Sequence, residues 1–535
     1  MRRTLAAARF SLSDRLRRLH PDHAIAARAF DHAFYLKTNP DVFAAGADPL
    51  EHFMAYGWRE GRDPTPDFSL GAYLAAFPEV ASLGVNPFVH YLTNGRPKPR
   101  PAESPLGFRH EVISALLPVE ARIALATAAP VAPDPEARLA AALARGARDG
   151  LRRLHITFSH DDFTANIGGL QLALQREAAR LAELGRDHLH LYPARAWPVV
   201  RTATDPGALG VVLNGKAGGV FHADVVARAL AGATAGAPDG RSFAIHSLLG
   251  HAADETVEIL AAAGLSAGTF WLHDFASLCA GFHLLRNDVQ DCAAPPPDSA
   301  GCSICVYGDW RARQVREHAR LFQRLSLTVA APSQVTLDLW RRAADYPVAA
   351  TVVLPHARLT LREPASVGAG PFRLAFAGLT RAHKGWPIFR ALAHRFADDP
   401  RYDFVHLGAA RDPHSEIRFH AVVATPDRPL AMREALQAAH VDAVLVWPLC
   451  RETFSFVAYE AVAAGGAVLT GPDSGNVAAF VAETGHGRVL PDETALTTAF
   501  ESGAILELAR AKRRPMLYDL AYSALTLDLA QHPSS

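Results

Sequence analysis

The chain has 535 residues, 49% hydrophobic and 20% charged, with 54 Lys+Arg set against 54 Asp+Glu. At roughly 100–200 residues per domain, this length predicts two to four globular domains with substantial cores and excludes a small stapled scaffold. Zero formal net charge gives no global attraction for nucleic acid; no run of 18 apolar residues marks a membrane span, and the first residues lack the apolar centre of a secretory signal, so a cytoplasmic protein that binds no nucleic acid is expected.

Residues 1–24 read as a basic leader. The first twenty carry six arginines and one aspartate, with Leu5, Leu12, Leu16 and Leu19 on one helical face. Such a helix is either a peripheral anchor to anionic lipid or a terminal helix lying on its own protein. Residues 25–100 contain an ungapped repeat. Phe30, Tyr35, Pro40, Val42, Gly46, Pro49 and His52 recur 38 positions later as Phe68, Tyr73, Pro78, Val80, Gly84, Pro87 and His90, which marks two copies of one unit. Each copy reads as two short helices broken at proline, serving as a partner- or glycan-binding module or as a helical spacer. Residues 101–150 read as a Pro/Ala-rich linker ending in a surface helix.

From Leu154 the pattern changes to apolar, β-branched runs alternating with amphipathic helices: LHITFS, HLHLYP, SFAIHS, TFWLHD, LTVAAPS, ATVVLP, RLAFAGL, YDFVHLG, IRFHAVV, DAVLVWP and GAVLTG. Alternating strands and helices imply parallel sheets covered on both faces. The expected fold is α/β: two Rossmann-like lobes, residues 151–356 and 357–535, facing a cleft and preceded by a small all-α repeat module. Residues 357–371 read as the hinge. Ligands are expected at the carboxyl ends of the strands.

Five groups of residues carry chemistry. Glu452 and Glu460, seven residues apart at a strand-to-helix passage, can accept hydrogen bonds from vicinal hydroxyls of a ribose or sugar. Gly378, Arg381 and Lys384 follow a strand in a glycine-bearing loop suited to a diphosphate. Arginine is the default cation here and only five residues are lysine, so Lys384 stands out. In the first lobe, Gly168-Gly169 opens a helix whose backbone N–H groups can approach an anion, or forms only a turn. His273 ends a strand, in a catalytic or a structural role. Cys279, Cys292, Cys302 and Cys305 fall within the loop 279–305; their Cys-x-x-Cys spacing fits a closed structural zinc site, with an iron–sulfur cluster or two disulfides as alternatives. Cys450 reads as a buried small hydrophobe.

The Gly…Lys-Gly loop followed by Glu, seven residues, Glu resembles the group-one, retaining nucleotide-sugar glycosyltransferases of the GT-B fold. That resemblance implies transfer of a sugar from a nucleotide diphosphate donor to a carbohydrate or lipid-linked acceptor in bacterial surface polysaccharide assembly. It also implies that Lys384 binds the diphosphate, Glu452 the donor sugar and Glu460 the ribose, that Gly168-Gly169 faces the donor phosphates or acceptor, and that His273 lies near the transferred sugar. No catalytic cofactor is implied. The sequence departs from the family pattern at Leu379, where an arginine is usual, and at Thr453-Phe454-Ser455, which replaces a glycine-bearing run. A nucleotide-sugar epimerase of the same architecture and a catalytically silent binding scaffold are the competing readings.

Overall fold

The structure, a computed structural model, describes residues 21–94, 106–128, 131–148, 150–234, 240–367, 370–425 and 427–529. The basic leader lies outside the described residues up to residue 20; its last positions enter the helix Pro21–Ala27. The chain divides into two compact units, one up to Glu111 and one from Val112 onward.

In the first unit each copy of the 38-residue repeat holds three short helices, not two: His32–Thr38, Pro40–Ala44 and Pro49–His52 in one copy, Leu70–Ala76, Pro78–Leu83 and Pro87–Asn94 in the other. The extra break follows from proline at the first helical position of two of the three helices in each copy, which cannot continue a preceding helix. Tyr35 bonds His52 Nδ1 at 3.0 Å and Tyr73 bonds His90 Nδ1 at 2.9 Å, the same contact 38 residues apart. Phe30, Tyr35, Phe53, Phe68, Tyr73 and Phe88 make one aromatic core shared by both copies.

The second unit contains both lobes. The first lobe's sheet is built from β1 (Leu154–Phe158), β2 (Asp187–Pro193), β3 (Leu209–Leu213), β4 (Lys216–Phe221), β5 (Ser242–Ile245) and β6 (Ala267–Trp271). A small hairpin, β7 (Leu285–Arg286) with β8 (Gln290–Asp291), precedes β9 (Ser326–Ala331) and β10 (Ala350–Val353). The sheet order is β10-β9-β6-β5-β1-β2-β3-β4. It is parallel from β10 to β2, and β3 and β4 close the edge antiparallel. The Asn214-Gly215 turn between β3 and β4, with both residues at positive φ, matches the two-residue hairpin preference.

Next come β11 (Ala357–Pro364), β12 (Phe372–Ala377), β13 (Tyr402–Gly408), β14 (Arg418–Ala421), β15 (Ala443–Leu445), β16 (Ala467–Thr470), β17 (Gly487–Val489) and β18 (Met516–Tyr522). Six of them form the wholly parallel second sheet, β14-β13-β12-β15-β16-β17. β15 and β16 are buried throughout, because helices cover both faces of a parallel sheet and leave no polar side to the strand.

Three expectations are corrected. Residues 357–364, expected within a hinge, form β11 and pair antiparallel with β18; the hinge is shorter and lies between β10 and β11. The chain's last helix, Thr526–Leu529, expected with the second lobe, packs on the first: Trp271 Nε1 donates to Thr526 Oγ1 at 3.0 Å, and Leu525 joins Ala173, Ala244, Trp271 and Ala330 in a buried cluster. The helix Glu136–Gly146, expected on the surface beyond a linker, also belongs to this lobe, with Leu139 and Leu143 in its core. Leu143→Ala should therefore lower the unfolding free energy by about 2–5 kcal/mol, as for other buried leucines. Urea unfolding checks this; a change within about 0.5 kcal/mol, typical of surface positions, would contradict the packing.

Candidate active site between the two lobes

In the second sheet the strand order reverses between β12 and β15, and a crevice outside that reversal is where open α/β sheets receive ligands. The loops leaving these two strands carry the residues singled out in the sequence. After β12, Gly378 turns at φ +109° and the chain reaches Lys384 on a short 3-10 turn, closed by Gly385 at φ +86°. A side chain at Gly385 would place its Cβ 2.2 Å from the Trp447 carbonyl of the loop after β15, so glycine is required for the two loops to meet. After β15, Glu452 is anchored by its backbone to Ser474 and Asn476, against Gly475 at φ +63°, whose Cβ would collide with Glu452 backbone atoms.

Lys384 Nζ donates to Glu452 Oε1 at 2.6 Å. The lysine side chain is 42% exposed and the glutamate 13%. Burial works against the Lys384 charge, but Glu452, by charge and hydrogen bond, outweighs it with help from Cys450 and holds the ammonium above the ordinary lysine value. Arg381 is exposed, beside an exposed Leu379 at the position where arginine is usual, and among the described residues no carboxylate pairs with it.

Glu460 stands apart from that pair. Its helix begins at Phe456, capped by Ser455, so Glu460 sits one turn in and does not open the helix. It is buried, accepting from the Tyr522 hydroxyl of β18 at 3.2 Å, and the Arg176 guanidinium lies 3.5 Å from the Tyr522 ring centre. Burial pushes its carboxyl up to about 7 against the opposing pull of Tyr522 and Arg176. Arg176 comes from the first-lobe helix Gly169–Glu183, which no side chain caps at Gly168. A Cβ on Gly169 would stand 3.3 Å from the Phe456 ring, so Gly169 faces the Glu460 helix, whereas one on Gly168 would meet Gln171 of its own helix. Neither has a left-handed φ; Gly168 is extended.

Three further contacts join the lobes beside the Lys384–Glu452 pair, and sequence reasoning missed all of them. Arg451 holds Asp291 of the first lobe with two donors, Nε at 3.0 Å and Nη2 at 2.8 Å. The His283 ring stacks on His383, next to Lys384, with centroids 4.8 Å apart. Thr453 Oγ1 donates to the His273 carbonyl at 2.8 Å, and its own carbonyl accepts from Ser333 Oγ at 2.9 Å. The sequence signal available was the departure at Thr453 itself: the residue replacing the expected glycine-bearing run is the one that bridges the lobes.

Both ring nitrogens of His273 face other histidines: its Nε2 is 2.9 Å from His246 Nδ1 and its Nδ1 is 3.1 Å from His356 Nε2. The series begins at Glu177, fully buried, 3.0 Å from His246 Nε2. Burial raises the Glu177 carboxyl, but His246 and His155 outweigh it and hold it at about 2. The three rings thus run in contact from His246 through His273 to His356. Burial, then His356 and His246, keep His273 well below 6.5. What His273 offers the cleft is its backbone carbonyl.

The four clustered cysteines line one cavity of about 300 Å³, and none is in a disulfide. Among the described residues, no three His, Cys, Asp or Glu side chains stand as a ready metal-holding group, and no helix is long and apolar enough to cross a membrane.

No protein-family profile matches the chain, and no curated protein matches it. Among solved structures, it is similar to HepE of Anabaena in complex with UDP-glucose, at 14% identity and TM-score 0.39 over 68% of this chain and 93% of that one. It is also similar to WaaG, a glycosyltransferase involved in lipopolysaccharide biosynthesis, at 14% identity and TM-score 0.37 over 67% and 94%, and to the pneumococcal O-GlcNAc transferase GtfA, at 12% identity and TM-score 0.37 over 55% of each chain. These identities and scores are too low to carry a functional argument, and the two-lobed fold rests on the strand orders themselves.

The buried titratable groups set a pH dependence. Burial holds His155, His190 and His318 at about 4, and His251 and His356 at about 3. Between these values and the ordinary 6.5 the unfolded chain binds more protons, so the stability they contribute is complete above about pH 6.5 and is lost as pH falls. Glu460, raised to about 7, acts oppositely, adding stability as pH drops from 7 toward the ordinary carboxylate range. Burial also lowers His188, His273, His283 and His383, and raises Asp63, Glu255, Asp274, Asp291 and Glu317, so among the described residues the depressed histidines outnumber the carboxyls that oppose them. The melting temperature should fall from pH 7.5 to 5.5, and Glu460→Gln should be relatively more stable at pH 8 and fall more steeply. Differential scanning calorimetry across that range checks both; a flat profile would contradict them.

Proposed function

We propose that the chain transfers a glycosyl group from a nucleotide diphosphate sugar to a hydroxyl of a carbohydrate or lipid-linked acceptor. The observation that carries this reading is the Lys384–Glu452 pair, 2.6 Å apart on the two loops that flank the strand-order reversal of a parallel sheet. A diphosphate entering there takes over Lys384 Nζ and the exposed Arg381, and releases Glu452 to accept from the donor sugar's hydroxyls. Glu460, buried and bonded to Tyr522, is the residue to which the motif resemblance gives the ribose.

In the proposed step the bond between the anomeric carbon and the diphosphate oxygen breaks, and its electron pair leaves on the diphosphate. Lys384 and Arg381 stabilise that charge as it develops. The acceptor oxygen bonds the anomeric carbon, and its proton passes to the departing diphosphate oxygen. The motif resemblance implies retention, so attack and departure are read as taking place on one face of the sugar, with no side chain assigned as a covalent nucleophile. The reading calls on no catalytic cofactor. The motif resemblance sets the reaction in bacterial surface polysaccharide assembly, at the cytoplasmic side of the membrane, with any peripheral contact made by the basic leader.

Lys384→Ala and Glu452→Gln should each lower kcat/KM by about 10²–10³-fold, the range for removing one preorganised charge-stabilising group, with melting temperatures near that of the unmodified protein. The assay presents UDP-, GDP- and ADP-sugars with and without a glycan acceptor. Full activity in both variants, or sugar conversion without any acceptor, would overturn the proposal.

A further inference from the structure

We infer that Cys279, Cys292, Cys302 and Cys305 bind one zinc ion as thiolates, and that this metal braces the loop that meets Lys384 and Arg451 across the cleft. The four line a single cavity of about 300 Å³ and are all free of disulfides. A second observation points to charge at that place. Arg311, 6% exposed, directs Nη1 to Cys302 Sγ at 3.2 Å while its Nε donates to the Leu278 carbonyl. Among the described residues no carboxylate pairs with it. A buried guanidinium needs a counter-charge. Four neutral thiols supply none, whereas four thiolates around a divalent ion carry a net charge of −2.

The backbone is built to bring the ligands together. Cys302 to Cys305 is a tight turn, with the Cys305 N–H donating to the Cys302 carbonyl at 3.1 Å and the Gly308 N–H to the Cys305 carbonyl at 2.9 Å. A Cβ on Gly308 would stand 2.0 Å from the Cys302 carbonyl, so only glycine allows the helix Gly308–Arg324 to start against this turn. Around the other two cysteines, Leu284, Asn287, Asp288, Ala293 and Ala294 all have left-handed φ between +49° and +60°. Non-glycine residues hold that conformation only where surrounding structure enforces it. Hydrogen bonds link Asn287 to Ile304 and Val306, and Asp288 to Tyr307 and Arg122; the regular structure here is a hairpin of two-residue strands and a four-residue helix, and metal–sulfur bonds would add the constraint at the cysteines themselves.

Binding draws the sulfurs inward to about 2.3 Å from the ion in a tetrahedron, and the four thiol protons leave to solvent. An all-thiolate tetrahedron favours zinc over oxygen-seeking magnesium or calcium, and with no open position the ion is structural. Its reach extends to the cleft: Asp291, which grips Arg451, precedes Cys292, and His283, stacked on His383, follows Cys279 by four residues.

The full chain, purified in reducing buffer without added metal, should contain one zinc per molecule by mass spectrometry. After exchange it should bind one Co²⁺ with thiolate charge-transfer and tetrahedral ligand-field absorption. Cys292→Ser and Cys305→Ser should each abolish that spectrum, and chelation should expose the 279–305 loop to protease. Absence of stoichiometric zinc with no cobalt spectrum, iron with labile sulfide, or fewer than five titratable thiols in the denatured, metal-free chain would each overturn the inference. These readouts are independent of transfer activity and stand on the unmodified protein even where a serine variant fails to fold.

Discussion

The half-buried pair of Lys384 and Glu452 is the contact on which the cleft of the second lobe depends. It joins two loops whose strands are neighbours in the sheet although the residues lie 68 positions apart. A cation and a carboxylate in this degree of exposure contribute little net stability to the fold, about 0–1 kcal/mol for exposed pairs. The same modest strength makes the pair easy to exchange. An anion can take the lysine and a hydroxyl the glutamate without leaving either charge stranded, as would happen if a deeply buried pair were opened. Gly385 and Gly475 bear the geometric burden instead, since a side chain at either would push one loop away from its partner.

Around this pair the two lobes are joined by polar contacts of several kinds: a bidentate ion pair, a ring stack, and a threonine that donates to one strand end and accepts from another. None of these is apolar burial, so the seam resembles a polar interface more than a divided core. The buried histidine series belongs to the first lobe's side of that seam. Glu177 faces His246 at one end, and the rings follow in contact to His356. His273, in the middle, engages Thr453 through its carbonyl. A histidine at the end of a strand near a cleft invites a catalytic reading, and its ring partners, His246 and His356, are invisible in sequence.

The parallel core was legible because strands covered on both faces must be continuously apolar: all eleven runs read as strands lie in strands. The edge hairpin β3–β4 escaped notice although Asn214-Gly215 is a strong turn signal, since its second strand, KAGGVF, carries two glycines and little β-branching. β11 was read as a hinge because RLTLREP alternates polar and apolar residues beside proline, and its partner lies more than 150 residues later. Lys384, Glu452 and the four cysteines were legible through rarity and spacing. Asp291, Arg451, Thr453 and His283 were not, because a contact between lobes leaves no periodicity in either segment.

The ribbon of β11 and β18 has a kinematic consequence. The chain passes between the lobes twice, just before β11 and just after β18, and the Ser523 N–H donates to the His356 carbonyl at 3.0 Å where the passages run side by side. Two adjacent tethers define an axis: the lobes can swing about it as covers about a spine, while twisting would break that hydrogen bond and shear the ribbon. The residues opposite the spine then travel farthest, and the buried end of the histidine series, at His356, sits on the axis and hardly moves.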